Sequence, residues 1–256
     1  MNNITVAKEC GLCNRVKTYM SCLTEYDSVS TQVYADSYIF PSVKYKENPE
    51  KRLSGWRLKV LPEEEKYIEN YKTIDFLYEK TPEYFIEKYT GVLKKIEINR
   101  EILDYANSFL EDWSEVIGVH VRSWWTDGNR SKWHDINFFE KEIDKFDSTK
   151  KIFLCSDNDQ VIKYFVDKYG ERIILHDQKI HKRKYNSLET YHENVQLIAD
   201  AFIDCLLLSK CNTIIGTWGS TFTEVAWWLG GCNSKVIVTK SSKVSIEEEK
   251  SFIVPK

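Results

Sequence analysis

Val116-Ile117-Gly118-Val119-His120-Val121-Arg122 decides how the rest of the chain is read. As a β-strand its side chains alternate, so Ile117, Val119 and Val121 share one face and His120 and Arg122 the other. Arg122 then stands at the carboxyl end, ahead of a polar and aromatic stretch from Ser123 to Trp133. An arginine closing a buried strand is costly to leave unpaired. Its planar, permanently charged fork suits a phosphate or carboxylate, and ligands bind at the carboxyl edge of open α/β sheets. A structural ion pair at the strand end would satisfy it equally well.

Working outward, apolar runs of the same kind recur at KIFLCSD (151–157), RIILHD (172–177), NTIIGT (212–217) and KVIVTK (235–240). Helical periodicity fills the gaps, at 137–146, 158–169, 190–210 and 221–230. Near-continuous apolar strands separated by helices predict a parallel sheet covered on both faces, a doubly wound α/β domain. Arg122, Asp157, Asp177 and Thr217 would then gather along one sheet edge. Residues 105–115 mark a boundary, with an N-terminal domain over 1–110 and a C-terminal domain over 111–256. The first half begins with a strand at Ile4 to Lys8, a turn at Gly11 and a helix from about Asn14 to Leu23. Gln32 to Phe40, rich in β-branched and aromatic residues, predicts an extended segment. The charged residues 42–72 read as a surface excursion, and 82–113 as helices.

With 42% hydrophobic and 29% charged residues and a net charge of −3, the composition is that of a soluble globular protein. It argues against a broad nucleic-acid surface. No run approaches a membrane span, and no basic-then-apolar leader precedes the first strand, so neither a transmembrane segment nor a cleavable signal is expected. Seven cysteines form no disulfide framework, and a reducing cytosol is the expected compartment. Cys10-Gly11-Leu12-Cys13 is a CxxC without the second ligand pair that zinc needs; a redox dithiol ahead of a helix is the remaining chemistry. The basic run His181-Lys182-Arg183-Lys184 is either a solvated loop or a cover for phosphates.

The second informative stretch is Ile214-Ile215-Gly216-Thr217-Trp218-Gly219-Ser220-Thr221-Phe222-Thr223-Glu224. A strand enters two glycines, then hydroxyl residues, then an apolar helix. Thr221 and Glu224 have capping-box spacing, which predicts a helix start near Phe222. Glycines permit close backbone approach, and a helix N-terminus favours an anion. A well-capped helix after a tight turn is the competing account. Neither GxxxxGK[ST] nor GxGxxG occurs, so no P-loop and no nicotinamide or flavin cofactor is expected. On the apolar helix 190–210, Asp200 and Asp204 lie four apart and read as exposed or capping.

Together, GLCNRVKTYMSCL, IGVHVR, the CSDN strand end and IIGTWGSTFTEVAWWLGG, in that order, resemble the fucosyltransferase superfamily. The likeness is to the α1,6-, protein-O- and nodulation enzymes, with a Ser/Thr loop similar to that of α1,2-fucosyltransferases. It implies a GT-B fold of two Rossmann-like halves and an inverting, metal-independent transfer of fucose from GDP-fucose to a glycan. It implies that Arg122 holds the donor β-phosphate and that His120 stands beside it. Asp157 would lie near the guanine, Gly219, Ser220 and Thr221 would form the phosphate loop, and Asn14 and Arg15 would face the nucleotide from the first half. The chain departs from the pattern at Ser123, where the second arginine of HVRR would stand, and at Cys13, where a glycine would precede Asn14.

The chemistry agrees with such a transfer. Rupture of the anomeric C–O bond places negative charge on the departing diphosphate, which Arg122 and the 219–221 amides would stabilise. Inversion needs a base for the acceptor hydroxyl, for which Asp127 and His134 are the candidates, or an acceptor nucleophilic enough without one. Trp124, Trp125 and Trp133 could stack on a sugar or simply pack. Another nucleotide sugar as donor, or a nucleotide-sugar-binding protein without transferase activity, are the alternatives.

Overall fold

The computed structural model describes residues 2–55, 57–69, 71–123, 135–177 and 194–239. The chain divides into two compact units, one comprising Met1–Phe109 with 178–203 and 253–256, the other 110–177 with 204–252. The C-terminal unit is therefore not one continuous run, because residues 194–203 group with the first. Among the described residues no helix is long and apolar enough to cross a membrane.

The first unit is built on a four-stranded sheet of β1 (Asn3–Val6), β2 (Ser28–Thr31), β3 (Lys44–Tyr45) and β4 (Arg52–Leu53) in the order β3-β2-β1-β4. All its pairings are parallel. α1 (Leu12–Cys22) follows β1, α2 (Tyr34–Ile39) follows β2, and α3 (Glu83–Leu93) and α4 (Arg100–Ser108) close the unit. The extended segment expected over 32–40 is not found. The strand ends at Thr31, and Tyr34–Ile39 is helical. The physical reason is burial: Ala35, Asp36 and Ile39 form one inward face, and that face overrides the β propensity of the aromatic and branched residues. Asp36 is drawn inward by Arg15, whose Nε and Nη2 donate to its two carboxylate oxygens at 2.6 Å each. The expected excursion over 42–72 carries two short strands and a 3₁₀ turn at Pro62–Tyr67.

The second unit has a five-stranded sheet of β5 (Val116–Val121), β6 (Lys151–Ser156), β7 (Ile173–Ile174), β8 (Thr213–Thr217) and β9 (Lys235–Thr239) in the order β7-β6-β5-β8-β9. Every neighbouring pair is parallel, with His120 opposite Cys155 on one side and Gly216 on the other. Its helices are α5 (Ile136–Ile143), α6 (Asp159–Tyr169), the part of α7 (Val195–Leu208) from Asp204 onward, and α8 (Thr221–Leu229). Ile117, Val119 and Val121 pack with Phe139, Ile143, Ile152, Leu154, Val161, Phe165 and Ile215. The opposite face of β5 is as tight, since a Cβ on Gly118 would sit 2.6 Å from Leu208 Cδ1. This double coverage is what the unbroken apolar strands require. β7 pairs over two half-buried residues, fewer than RIILHD suggests, because it lies at the sheet edge with one neighbour and its register ends at Ile174.

Candidate functional site

In the second unit β5, β6 and β7 run outward to one side, while the chain returns to place β8 and β9 on the other flank of β5. The carboxyl ends of β5 and β8 are therefore a topological switch point, where diverging connections leave a crevice. Arg122 and Ser123 follow β5 there, and Thr217 to Ser220 close β8.

The backbone N–H of Arg122 donates to Thr217 Oγ1 at 2.8 Å, and that hydroxyl donates on to the His120 carbonyl at 3.4 Å. One side chain thus extends the β5–β8 ladder past its last pair. On the other flank, Ser156 Oγ donates to the Val121 carbonyl at 2.7 Å. Asn158 accepts from the Gln160 amide at 2.9 Å, capping α6 and turning the chain. Between these fixed residues Asp157 accepts the Ser123 amide at 2.8 Å on Oδ1 and the Arg122 guanidinium on Oδ2. Asp157 is mostly buried, at 13% side-chain exposure, whereas Arg122 is 41% exposed. The carboxylate therefore orients a cation whose side chain is still partly exposed, at the carboxyl end of β5. The strand-end ion pair leaves the arginine side chain partly exposed, since a guanidinium has five donors and one carboxylate cannot occupy them all.

Across the switch point, Gly219 takes φ +69, a left-handed turn that suits glycine. α8 begins at Thr221, one residue ahead of the expected start, with Ser220 as its N-cap residue. The expected capping box is not what starts it: Ser220 makes no side-chain cap bond to the first turn. First-turn amides have no intrahelical acceptor, and their positive dipole end lies at the β8 exit. His120 is buried, with Nδ1 2.8 Å from Thr223 Oγ1 and its ring stacked on Phe222 at 4.5 Å. It holds down the first turn of α8 from beneath. Gly216 lets that turn close on β8, since a Cβ there would fall 2.5 Å from Thr223 Cγ2.

The remaining expected residues lie elsewhere. Asp177 is exposed beyond β7, and no hydrogen bond joins it to this group among the described residues. Its neighbour His176 is buried instead, with Nδ1 2.9 Å from Asp204 Oδ1. Asp200 and Asp204, expected to be exposed or capping, are both 2% exposed, and Asp200 accepts from Gln196 at 2.7 Å. α7 is buried almost all round, so its polar residues take polar partners inside. In the first unit Arg15 is fully buried on Asp36 and donates to the Cys10 carbonyl, so its fork holds the β1–α1 turn from within and does not face a ligand. Asn14 is half-buried on the first turn of α1. The CxxC is not arranged for redox work: Cys13 is buried, and burial pushes the Cys10 thiol up, although Arg15 opposes the shift. Among the described residues no group of three His, Cys, Asp or Glu side chains is placed to hold a metal. Asp127, His134, Trp124, Trp125, Trp133 and the run 181–184 lie outside the described residues.

Sequence reasoning missed the work of Thr217 and His120. Their signal was the register itself: residues 120 and 216 are opposite each other at the strand ends, where a hydroxyl or imidazole can reach across.

No protein-family model and no curated protein sequence matches the chain. Solved structures do. NodZ α1,6-fucosyltransferase soaked with GDP-fucose superposes with a TM-score of 0.53 at 16% identity, covering 89% of this chain and 92% of that one. Fucosyltransferase NodZ from Bradyrhizobium gives 0.53 at 16%, covering 88% and 91%. POFUT1 in complex with GDP gives 0.50 at 11%, covering 93% and 98%. The chain has the GT-B-like fold of these fucosyltransferases, an α/β architecture with two parallel sheets.

Proposed function

We propose that the protein is an inverting glycosyltransferase that moves fucose from GDP-fucose to a glycan acceptor without a metal ion. The observation that carries this reading is Arg122, oriented by Asp157 and still 41% exposed, at the β5/β8 switch point with the start of α8, whose N-cap residue Ser220 makes no side-chain cap bond. This pairing of a bidentate cation with helix first-turn amides suits a diphosphate. The solved structures that share the fold include enzymes bound to GDP and GDP-fucose, which favours that donor over other nucleotide sugars.

The donor's diphosphate lies against Gly219, Ser220, Thr221 and the Arg122 fork. As the anomeric C–O bond breaks, its electron pair passes to the β-phosphate oxygen, and charge grows where these donors already point. They therefore stabilise the transition state more than the bound donor, and loss of one such group costs about 3 to 4 kcal/mol of barrier. Asp157 acts through Arg122 as a positioning residue, and His120 acts through α8. Asp127 takes the acceptor proton in this scheme. Seven cysteines, none of them in a disulfide, suit action in a reducing cytosol.

The test is a thermal-shift series with GDP, GDP-fucose, GDP-mannose, UDP-sugars and dTDP-sugars on wild type and Arg122→Ala. A ligand at about a hundred times its Kd adds roughly 2.7 kcal/mol, a shift of several degrees for a chain of this size. Stabilisation by GDP and GDP-fucose that Arg122→Ala abolishes is the expected result. A response to another nucleotide sugar alone would retain the transferase and discard fucose, and no response to any would return Arg122 to a structural role.

A further inference from the structure

The first unit buries its tyrosines where it has use for them. Tyr19 is wholly buried, packs edge-on against Phe40, and donates its hydroxyl to Asp36. Five others among the described residues of the unit are exposed, and three of these stand in one place. Tyr34 is 61% exposed, Tyr38 39% and Tyr45 43%. They are also neighbours: Tyr34 and Tyr45 lie 5.8 Å apart between ring centroids at 84°. Tyr34 and Tyr38 are one helical turn apart on the outer face of α2, whose inner face is Ala35, Asp36 and Ile39.

The mounting beneath them is rigid. Asn99 donates its backbone N–H to the Ile39 carbonyl at 2.8 Å and its side-chain amide to the Tyr38 carbonyl at 3.1 Å, which fixes the end of α2. At the other end Gln32 Nε2 donates to the Glu47 carbonyl at 3.1 Å, tying the β2 exit to the β3 exit and so Tyr34 to Tyr45. Aromatic side chains clustered on a surface mark an interaction site more often than scattered ones do.

We propose that Tyr34, Tyr45 and Tyr38 form a saccharide-binding strip. Exposed tyrosines offer large, rigid, amphipathic faces at little entropic cost, suited to the C–H faces of sugar rings, with phenol hydroxyls left for the sugar hydroxyls. The surrounding charge identifies the ligand class. A stacking platform for nucleic-acid bases needs a positive groove. Here the exposed Lys44 and Lys46 are balanced by the exposed Glu47 and Glu101, the latter 3.4 Å from the Tyr38 hydroxyl, so the strip fits a neutral polyhydroxyl ligand. Its role as the seat of the acceptor glycan rests on the transferase reading above; its ability to bind saccharide does not.

The experiment is a glycan array of neutral and acidic oligosaccharides probed with the full chain, with the GDP thermal shift measured in parallel. Wild type should retain neutral oligosaccharides, and Tyr34→Ala with Tyr45→Ala should lose about tenfold or more in affinity. Tyr45→Phe, which keeps the ring, should retain binding. All three residues are exposed, so these variants should fold and keep their GDP response. Binding of the double variant within about twofold of wild type, or no binding of any oligosaccharide by a wild type that responds to GDP, overturns the strip. An absent GDP response with tyrosine-dependent glycan binding would overturn the transferase reading and leave the strip standing.

Discussion

Gly216→Ala tests whether the start of α8 is held as the geometry indicates. The new methyl would lie 2.5 Å from Thr223 Cγ2, 2.6 Å from Thr223 Oγ1 and 3.1 Å from Thr223 Cβ. The first two distances are too short for any side chain, so Thr223 must move and its contact with His120 Nδ1, 2.8 Å in the native protein, is lost. Overpacking of this kind costs about 1 to 3 kcal/mol. A buried hydrogen bond adds roughly 0.5 to 1.5, so the substitution should destabilise by about 2 to 4 kcal/mol. Thr223→Ala removes the two closest atoms and gives up the same hydrogen bond, at about 1 to 3 kcal/mol because His120 is left buried without it. The double variant should then be little worse than Thr223→Ala alone, a coupling of about 2 to 4 kcal/mol in the cycle. Urea unfolding of the four proteins measures it. Additive free energies, or a Gly216→Ala protein within about 0.5 kcal/mol of wild type, would refute the reasoning.

Three further outcomes are expected. Arg122→Lys keeps the charge but not the fork, and should restore little of the GDP-induced thermal shift lost in Arg122→Ala; full recovery would mean that charge alone is read at the site. Asp36→Asn leaves Arg15 buried beside a neutral amide and should destabilise by about 3 to 5 kcal/mol in chemical unfolding, whereas a change near zero would show the pair to be dispensable. Burial pushes the Cys22 thiol up to about 12 from 9.0, with Glu25 adding to the shift. The unfolded thiol then ionises while the folded one stays protonated, so stability present below pH 9.0 falls as pH rises toward 12, by at most about 1.4 kcal/mol per pH unit from this group. Denaturation series at pH 8 to 11 on wild type and Cys22→Ala read this, and equal slopes would dismiss it.

Much of the second unit was legible because two physical constraints coincide along its sequence. A strand buried on both faces must be apolar throughout, so its first polar residue marks its exit, and the exits of parallel strands share an edge. Arg122, Asp157 and Thr217 could be placed on one edge by that rule, and they do meet there through Asp157 and the Thr217 hydroxyl. The rule fails at Asp177 because β7 stops at Ile174 and the chain has already left the ladder.

The first unit was less legible, for a reason visible at Asp36. Its strands are four residues or fewer, and β3 and β4 are exposed pairs, so no long apolar run announces them. The unit is ordered in part by charges buried against charges, Arg15 on Asp36 and Lys17 on Asp75, between residues 21 and 58 positions apart. Read locally, Asp36 and Lys17 look like solvated surface; only their distant partners make them interior. The same fact changes what Arg15 can do. A cation whose donors are taken by a buried carboxylate and a backbone carbonyl shapes the β1–α1 turn from below, and it is other groups of that turn, such as its backbone and Asn14, that stay within reach of solvent. Arg122 is the opposite case, because Asp157 grips a guanidinium that remains at the surface. An arginine's role follows from how much of it stays in solvent after its carboxylate is satisfied.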